Sequence, residues 1–327
     1  MRFRCRVVLA VCAVVAAGAM PGTSAAATGG ARDMVSSDGH EVRATSLAAA
    51  AAGLTASPGS RGTGRLSPAV WKAPGARYRA AGPVAAAVPC CGVDKRVRIT
   101  NTTAYPFRAI GQITFSLPDG SFICTGWLIS PNTVATAGHC VHAGSGGANG
   151  FASNVRFFPG RNGASNPFGG CAARTLHTVN GWANGGDERF DYGAIKLNCS
   201  IGNQVGWFGY HSRSTTLNNI PIRVGGYPGD KPAGTQWESR NCSQTATFVQ
   251  CSVRASNGQQ VFYQNDTAGG MCGGPVYPTT TISGCGTACG IAIHAYGPHP
   301  PAPHTQNHGT RINQAVFNFL TSVRNMP

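Results

Sequence analysis

From about residue 97 to residue 310 the apolar residues come in short runs cut by glycine, asparagine and proline. Arg108 to Phe115, Phe122 to Ile129, Val155 to Phe158, Tyr192 to Leu197, Ile222 to Gly226, Phe248 to Val253 and Gly290 to Tyr296 all have this form. Short runs bounded by turn-forming residues predict strands. A long series of them predicts antiparallel sandwiches or barrels rather than βαβ units, so the expected class is all-β. The period changes only at the end of the chain. There Ile312, Val316, Phe319, Leu320 and Val323 fall on one helical face after Gly309-Thr310, which predicts a terminal amphipathic helix over about 311–325.

The first 88 residues have a different texture. Arg2, Arg4 and Arg6 precede an apolar run from Val7 to Met20, and Pro21 to Ala27 supplies small residues of the Ala-x-Ala type. This is the pattern of a secretory signal peptide, residues 1–27, with cleavage expected near Ala26 or Ala27. The run is too short to span a bilayer and no later stretch is long enough, so a secreted, extracellular product without membrane association is expected. Residues 28–88 are rich in alanine, glycine, serine, proline and arginine and show no sustained apolar period, a composition expected to bury little surface. Between a signal peptide and a strand-rich domain, such a segment reads as a propeptide, leaving residues 89–327 as the mature domain.

Charge excludes little beyond nucleic-acid binding. Of the 26 Lys/Arg and 11 Asp/Glu residues, 10 and 3 lie before residue 89, leaving 16 basic and 8 acidic residues and a net charge of +8 without basic runs. No nucleic-acid motif accompanies that charge. Cysteine is more informative. Cys5 and Cys12 leave with the signal peptide, and 11 of the 13 remain, an odd count that flags an unpaired thiol or an intermolecular bridge. With Cys272 as the free one, the expected pairs are Cys124 with Cys140, Cys171 with Cys199, Cys242 with Cys251 and Cys285 with Cys289. The count does not fix connectivity, and Cys90 and Cys91 are left over.

Three stretches carry chemistry. In Asn265-Asp-Thr-Ala-Gly-Gly-Met-Cys-Gly-Gly-Pro-Val-Tyr277 four glycines crowd around one sulfur, the composition of a loop built for close approach. In Thr136-Ala-Gly-His-Cys140 a histidine follows an apolar strand and stands beside a cysteine able to anchor it, with Cys124 to Ser130 as the expected partner strand. Nucleophilic catalysis needs a base of near-neutral pKa, which His139 supplies. In Phe190-Asp-Tyr-Gly-Ala-Ile-Lys-Leu197 a carboxylate opens an apolar strand, where burial calls for a donor such as an imidazole N–H. Asp191 is therefore the candidate partner of His139, and Asp187 and Glu188 read as solvated charges.

With His139, Asp191 and Cys272 in that order, the chain resembles the chymotrypsin fold and, more specifically, the secreted V8-like glutamyl endopeptidases. The resemblance runs from about Cys91 to the C-terminus. It rests on Val93-Asp-Lys-Arg96, Thr100 to Ile110, Thr136-Ala-Gly-His139, Pro159-Gly-Arg-Asn-Gly163, Asp191-Tyr-Gly-Ala194, Gly226-Tyr-Pro-Gly-Asp-Lys231, Asp266-Thr267 with the glycine loop, and Gly309-Thr-Arg-Ile312. It implies two antiparallel β-barrels, about 97–200 and 201–310, with the active site between them, and a zymogen cut near Pro89. It further implies a catalytic triad of His139, Asp191 and Cys272, an oxyanion hole from the amides of Gly270 and Cys272, and Thr267 and His294 in the pocket for the residue before the scissile bond. A hydroxyl and an imidazole both donate to a carboxylate, which suits glutamate or aspartate there. Asp266 stands where trypsin-like enzymes place the acid that selects Arg or Lys. The cysteine expected two residues further on in such enzymes is replaced by Ala268, which favours the acidic preference.

Cys272 departs from the family, whose nucleophile is serine. A thiol is intrinsically more acidic than an alcohol, and an adjacent imidazole lowers its pKa further, so a Cys/His pair can work. The expected product is an endopeptidase acting on protein or peptide substrates and held by its own propeptide, a monomer, without a cofactor. The alternative is a pseudopeptidase that binds peptides without turnover. His299 and His304, in Pro298-His-Pro-Pro-Ala-Pro-His304, lie near His308 and offer transition-metal donors. No acidic or cysteine ligand is close to them in sequence, so the stretch reads as an exposed loop and no metal site is expected. Asn101, Asn198, Asn241 and Asn265 lie in Asn-x-Ser/Thr sequons.

Overall fold

The computed structural model describes residues 29–51, 53–66, 79–80, 94–240, 244–245, 248–249, 252–299 and 306–327. The signal peptide, Cys90, Cys91, the Cys242–Cys251 pair, Asn241 and His304 lie outside them.

Two antiparallel sheets form the body. In the first, the strands run Gly193–Leu197, Thr133–Thr136, Gly120–Leu128, Ile110–Leu117, Ser153–Pro159 and Cys171–Val179 in spatial order, and the last pairs back with the first to close a six-stranded barrel. Alternation sends Ile113, Phe115, Leu128, Val134, Phe157 and Ile195 into its interior, all fully buried. The second sheet runs Val253–Ser256, Gln260–Tyr263, Asn307–Arg311, Ala292–Tyr296, Pro275–Pro278, Ile222–Gly226, Gln236–Ser239 and Arg96–Ile99. It curls without closing, around a core that includes Val224, Val261, Met271 and Val276. The expected start of the first barrel at residue 97 is corrected here. Arg96–Ile99 pairs with Gln236–Ser239 and belongs to the second sheet. Burial of Arg96 between Asp94 and Asp230 fixes that crossing, with Nε and Nη2 on Asp94 at 2.9 and 2.8 Å and Nη1 on Asp230 at 3.0 Å.

The terminal helix spans Gln314–Asn325, and the Asn313 side chain caps it by accepting from the Val316 amide at 3.1 Å. Phe319 packs edge-on against Tyr192, and Phe317 lies 5.0 Å from the Tyr210 ring. The last carbonyls are held from the barrel: Lys196 Nζ donates to Met326 O at 2.7 Å and to Asn132 Oδ1 at 2.9 Å. Disulfides join Cys124 to Cys140, Cys171 to Cys199 and Cys285 to Cys289.

The segment before residue 89 is more structured than its composition suggests. Met34–Ser36 adds an antiparallel strand to Cys171–Val179 at the barrel edge, and Ala56–Ser57 pairs with Gly209–His211. Between them Ala44–Ala50 forms a short helix against the C-terminal helix, with Leu47 and Ala51 buried, and Gln314 Nε2 donates to Leu54 O at 3.0 Å. Small alanine side chains let two helix backbones approach closely, so an apolar stripe is not needed. Burying Met34 and Leu47 is worth about 1.5–3 kcal/mol each. Further on, Arg79–Ala80 runs parallel to Phe122–Ile123, with Ala80 against Gly229.

Candidate active site

His139 sits in the one-turn 3₁₀ segment Gly138–Cys140 that follows the Thr133–Thr136 strand, and the Cys124–Cys140 bridge ties that turn to the neighbouring strand. Asp191 opens the Gly193–Leu197 strand, which pairs with Thr133–Thr136. Strand pairing thus brings the two residues together. Asp191 accepts twice from His139: from its backbone amide through Oδ1 at 2.8 Å and from its Nδ1 through Oδ2 at 2.7 Å. A Cβ at Gly138 would lie 2.9 Å from Asp191 Oδ1 and 2.9 Å from the Trp182 ring, so this approach requires glycine. The Asp191 main chain is fixed as well, since Thr310 Oγ1 donates to its carbonyl at 2.8 Å.

Burial opposes ionisation of Asp191, but the charge and hydrogen bonds of His139 outweigh it and hold the carboxyl below its usual pKa. Burial likewise opposes protonation of His139, and the Asp191 charge reverses the balance and raises the imidazole well above its usual value. The two shifts describe one coupled pair that favours imidazolium beside carboxylate. With Nδ1 committed to Asp191, Nε2 has no nitrogen or oxygen partner, and the group facing it is the Cys272 thiol, which also raises the imidazole pKa. Among the described residues Cys272 is the cysteine outside the disulfides, and it is nearly fully buried. The Tyr296 ring lies 5.8 Å from the His139 ring, and its hydroxyl approaches Asp191 without a well-aligned hydrogen bond.

The loop around the sulfur is held peptide by peptide. Gly229 N donates to Gly269 O at 2.8 Å, Thr125 Oγ1 to Gly270 O at 2.7 Å, and Gly274 N to Met271 O at 2.9 Å. A trans peptide turns its N–H away from its own carbonyl. The first and third bonds therefore fix the directions of the Gly270 and Cys272 amides, and the second locks the unit between them. Thr125 is itself anchored, because its hydroxyl accepts from Tyr227 N at 2.9 Å. Gly273 closes the turn at φ +85°, where a Cβ would lie 2.1 Å from Thr125 O.

Thr267 and His294 are both buried beside this loop. His294 is joined to it through its backbone, its carbonyl accepting from Gly273 N at 2.6 Å and its amide donating to Gly274 O at 2.9 Å. Tyr263 OH lies 2.7 Å from His294 Nδ1. Burial, with His308 and His139 nearby, pushes the His294 pKa down to about 3, while burial raises that of Tyr263. A protonated phenol donates, so neutral His294 accepts at Nδ1 and carries its proton on Nε2. Asp266 is almost fully buried and its Oδ2 accepts from Lys95 N at 2.7 Å.

Several residues here escaped sequence reasoning. Thr125 read as an ordinary residue of the Phe122 to Ile129 run, and Tyr263 fell in no stretch that was singled out. Glu188, expected as a solvated charge, instead faces His299 and His308, and His308 is a buried member of the Asn307–Arg311 strand rather than part of an exposed loop. The Asn265 sequon is buried, its side chain donating to Ile222 O and Ser239 O.

Comparison with known proteins agrees with this geometry. Residues 97–314 match the family model described as Trypsin. A glutamyl endopeptidase of Bacillus licheniformis is 41% identical over 235 residues, 72% of this chain and 68% of the relative. A Bacillus subtilis protein named extracellular metalloprotease is 35% identical over 318 residues, 95% of this chain and 93% of its own. Among solved structures, a Glu endopeptidase in complex with MPD superposes with a TM-score of 0.59 at 25% identity, over 72% of this chain and 99% of the other.

Proposed function

Starting from the fact that the chain belongs to the trypsin family of peptidases, we propose that it is an exported endopeptidase that cleaves after glutamate or aspartate with Cys272 as nucleophile. The observation that carries the reading is the buried line Asp191–His139–Cys272, in which the ring nitrogen left over from the carboxylate faces a thiol.

His139 Nε2 takes the thiol proton and holds it as imidazolium, which Asp191 stabilises and orients. The sulfur attacks the scissile carbonyl carbon, and the electron pair moves to oxygen. Gly270 and Cys272 amides receive that oxyanion, already aimed by the three bonds that pin their loop, so little reorganisation is required. Collapse breaks the C–N bond as His139 gives its proton to the leaving amine, and a thioester remains. Water, deprotonated by His139, attacks the thioester. The second collapse expels the sulfur, which recovers its proton from His139, and releases the new carboxylic acid.

Specificity follows from the pocket groups. Neutral His294 with its proton on Nε2, together with the Thr267 hydroxyl, offers donors suited to a carboxylate side chain. Asp266, which would otherwise favour a basic residue, is occupied by the Lys95 amide. Export is supported by the basic and apolar N-terminus and by a relative named extracellular. Residues 28–88 are proposed to be the propeptide.

The test is hydrolysis of matched peptides with Glu, Asp, Arg or Phe before the scissile bond, by the processed protein and its Cys272→Ser and Cys272→Ala variants. The proposal expects cleavage after Glu that is abolished by alanine and accompanied by stoichiometric alkylation of Cys272. Silence from the native protein with activity from the serine variant would overturn the cysteine mechanism, and preference for Arg would overturn the pocket assignment.

A further inference from the structure

Glu188, His299 and His308 form a second cluster of ionisable side chains one aromatic ring away from His139. They come from three elements. Glu188 begins the turn Glu188–Phe190 that leads into Asp191, His299 follows the Ala292–Tyr296 strand, and His308 lies in Asn307–Arg311. His299 Nε2 is 3.1 Å from Glu188 Oε1, and His308 Nε2 is 3.5 Å from Glu188 Oε2. One donor atom from each of the three residues lies within 4.8 Å of the others.

The other nitrogen of each ring decides what this arrangement can hold. His299 Nδ1 faces Gly297 O at 3.3 Å and His308 Nδ1 faces Gln306 O at 3.1 Å. A carbonyl only accepts, so both Nδ1 atoms carry hydrogen. In the neutral rings the Nε2 atoms then present lone pairs toward a carboxylate, which also only accepts. Such a juxtaposition is repulsive unless positive charge lies between the groups. Two added ring protons would supply it, and so would one cation. A backbone carbonyl on the far nitrogen is also the usual means of orienting a metal-bound imidazole. Donors bound tetrahedrally at about 2.0–2.1 Å stand about 3.3 Å apart, and the two observed separations bracket that value.

We propose that Glu188, His299 and His308 form a binding site for one divalent transition-metal ion, with Zn²⁺ best suited to its two imidazoles and one carboxylate and a fourth position left to water. The ion would cross-link the turn that carries Asp191, the segment that follows Tyr296 and the strand beneath both. Tyr296 lies against all of them, its ring stacked on His308 at 5.1 Å, 5.9 Å from His299 and 5.8 Å from His139. Metal occupancy thereby stiffens one wall of the catalytic cleft. The site does not depend on the identity of the nucleophile.

The experiment is Zn²⁺ titration of the untagged, chelator-stripped protein by calorimetry, repeated with Co²⁺ and read by absorption. Variants Glu188→Gln, His299→Gln and Cys272→Ser are measured beside it. Glu188 and His299 are partly exposed at 30% and 36%, so their variants are expected to keep the native melting temperature. The expected result is one Zn²⁺ per chain, weakened tenfold or more by Glu188→Gln or His299→Gln and unchanged by Cys272→Ser, with cobalt ligand-field bands but no sulfur-to-cobalt charge transfer. Absence of stoichiometric binding would overturn the proposal. So would binding unaffected by either cluster variant, and a charge-transfer band lost in Cys272→Ser would place the metal on the thiol instead.

Discussion

Replacing Thr125 with valine tests how the glycine loop around Cys272, the proposed oxyanion hole, is held. The substitution keeps shape and volume and removes one hydroxyl, which donates to Gly270 O at 2.7 Å and accepts from Tyr227 N at 2.9 Å. Thr125 is fully buried, so no water replaces it. A carbonyl and an amide are then left unpaired, at about 1–3 kcal/mol each, for a total of about 2–6 kcal/mol. In a domain of this size 1 kcal/mol corresponds to about 2–4 °C, so a fall in melting temperature of about 4–24 °C is expected by scanning calorimetry. Because the freed Gly270–Met271 peptide joins the two amides proposed to receive the oxyanion, kcat should fall by about 10-fold or more with KM little changed. Thr125→Ser keeps the hydroxyl and should lose far less of both. A valine variant with native stability and native kcat, or a serine variant as damaged as the valine one, would refute the assignment of this hydroxyl as the pin of the loop.

Leu47→Ala removes a side chain buried between the N-terminal segment and the body, and should cost the full-length chain about 2–5 kcal/mol in denaturant unfolding. Protein processed near Pro89 and freed of the segment should show no difference between leucine and alanine forms; an effect that persists would mean the segment stays docked after cleavage. His294 predicts a pH dependence. Its folded-state pKa of about 3 lies below the unfolded value of about 6.5, so as pH falls below 6.5 the unfolded chain takes a proton that the native state refuses. Stability present above pH 6.5 is lost progressively toward pH 3, by about 4–5 kcal/mol in all. Urea titrations of wild type and His294→Leu across that range should differ in slope, and parallel curves would contradict a neutral buried imidazole.

What was legible in the sequence is what local pattern encodes. The strand runs, the terminal helix and the His139, Asp191 and Cys272 stretches each carry their signal within about ten residues, and strand pairing did the rest. The helix Ala44–Ala50 was missed because its burial rests on Leu47 and small alanines against another helix, which leaves no apolar period to read. Arg96–Ile99 was placed in the wrong barrel because a strand's own residues do not name its partner, which here is supplied by Gln236–Ser239.

The same limit explains Glu188. In sequence it is one acid in a polar glycine-rich loop, and its meaning comes from two histidines, one of them 120 residues away. The prolines around His299 suggest an exposed loop, and only the pairing of Tyr296 with His308 turns that segment back toward the cleft. Clusters assembled across sheets are invisible to spacing arguments, and they are also the ones best placed to couple distant elements. In this chain the Glu188 cluster and the Asp191–His139 pair share one turn and one tyrosine, so any charge bound at the first bears mechanically on the second.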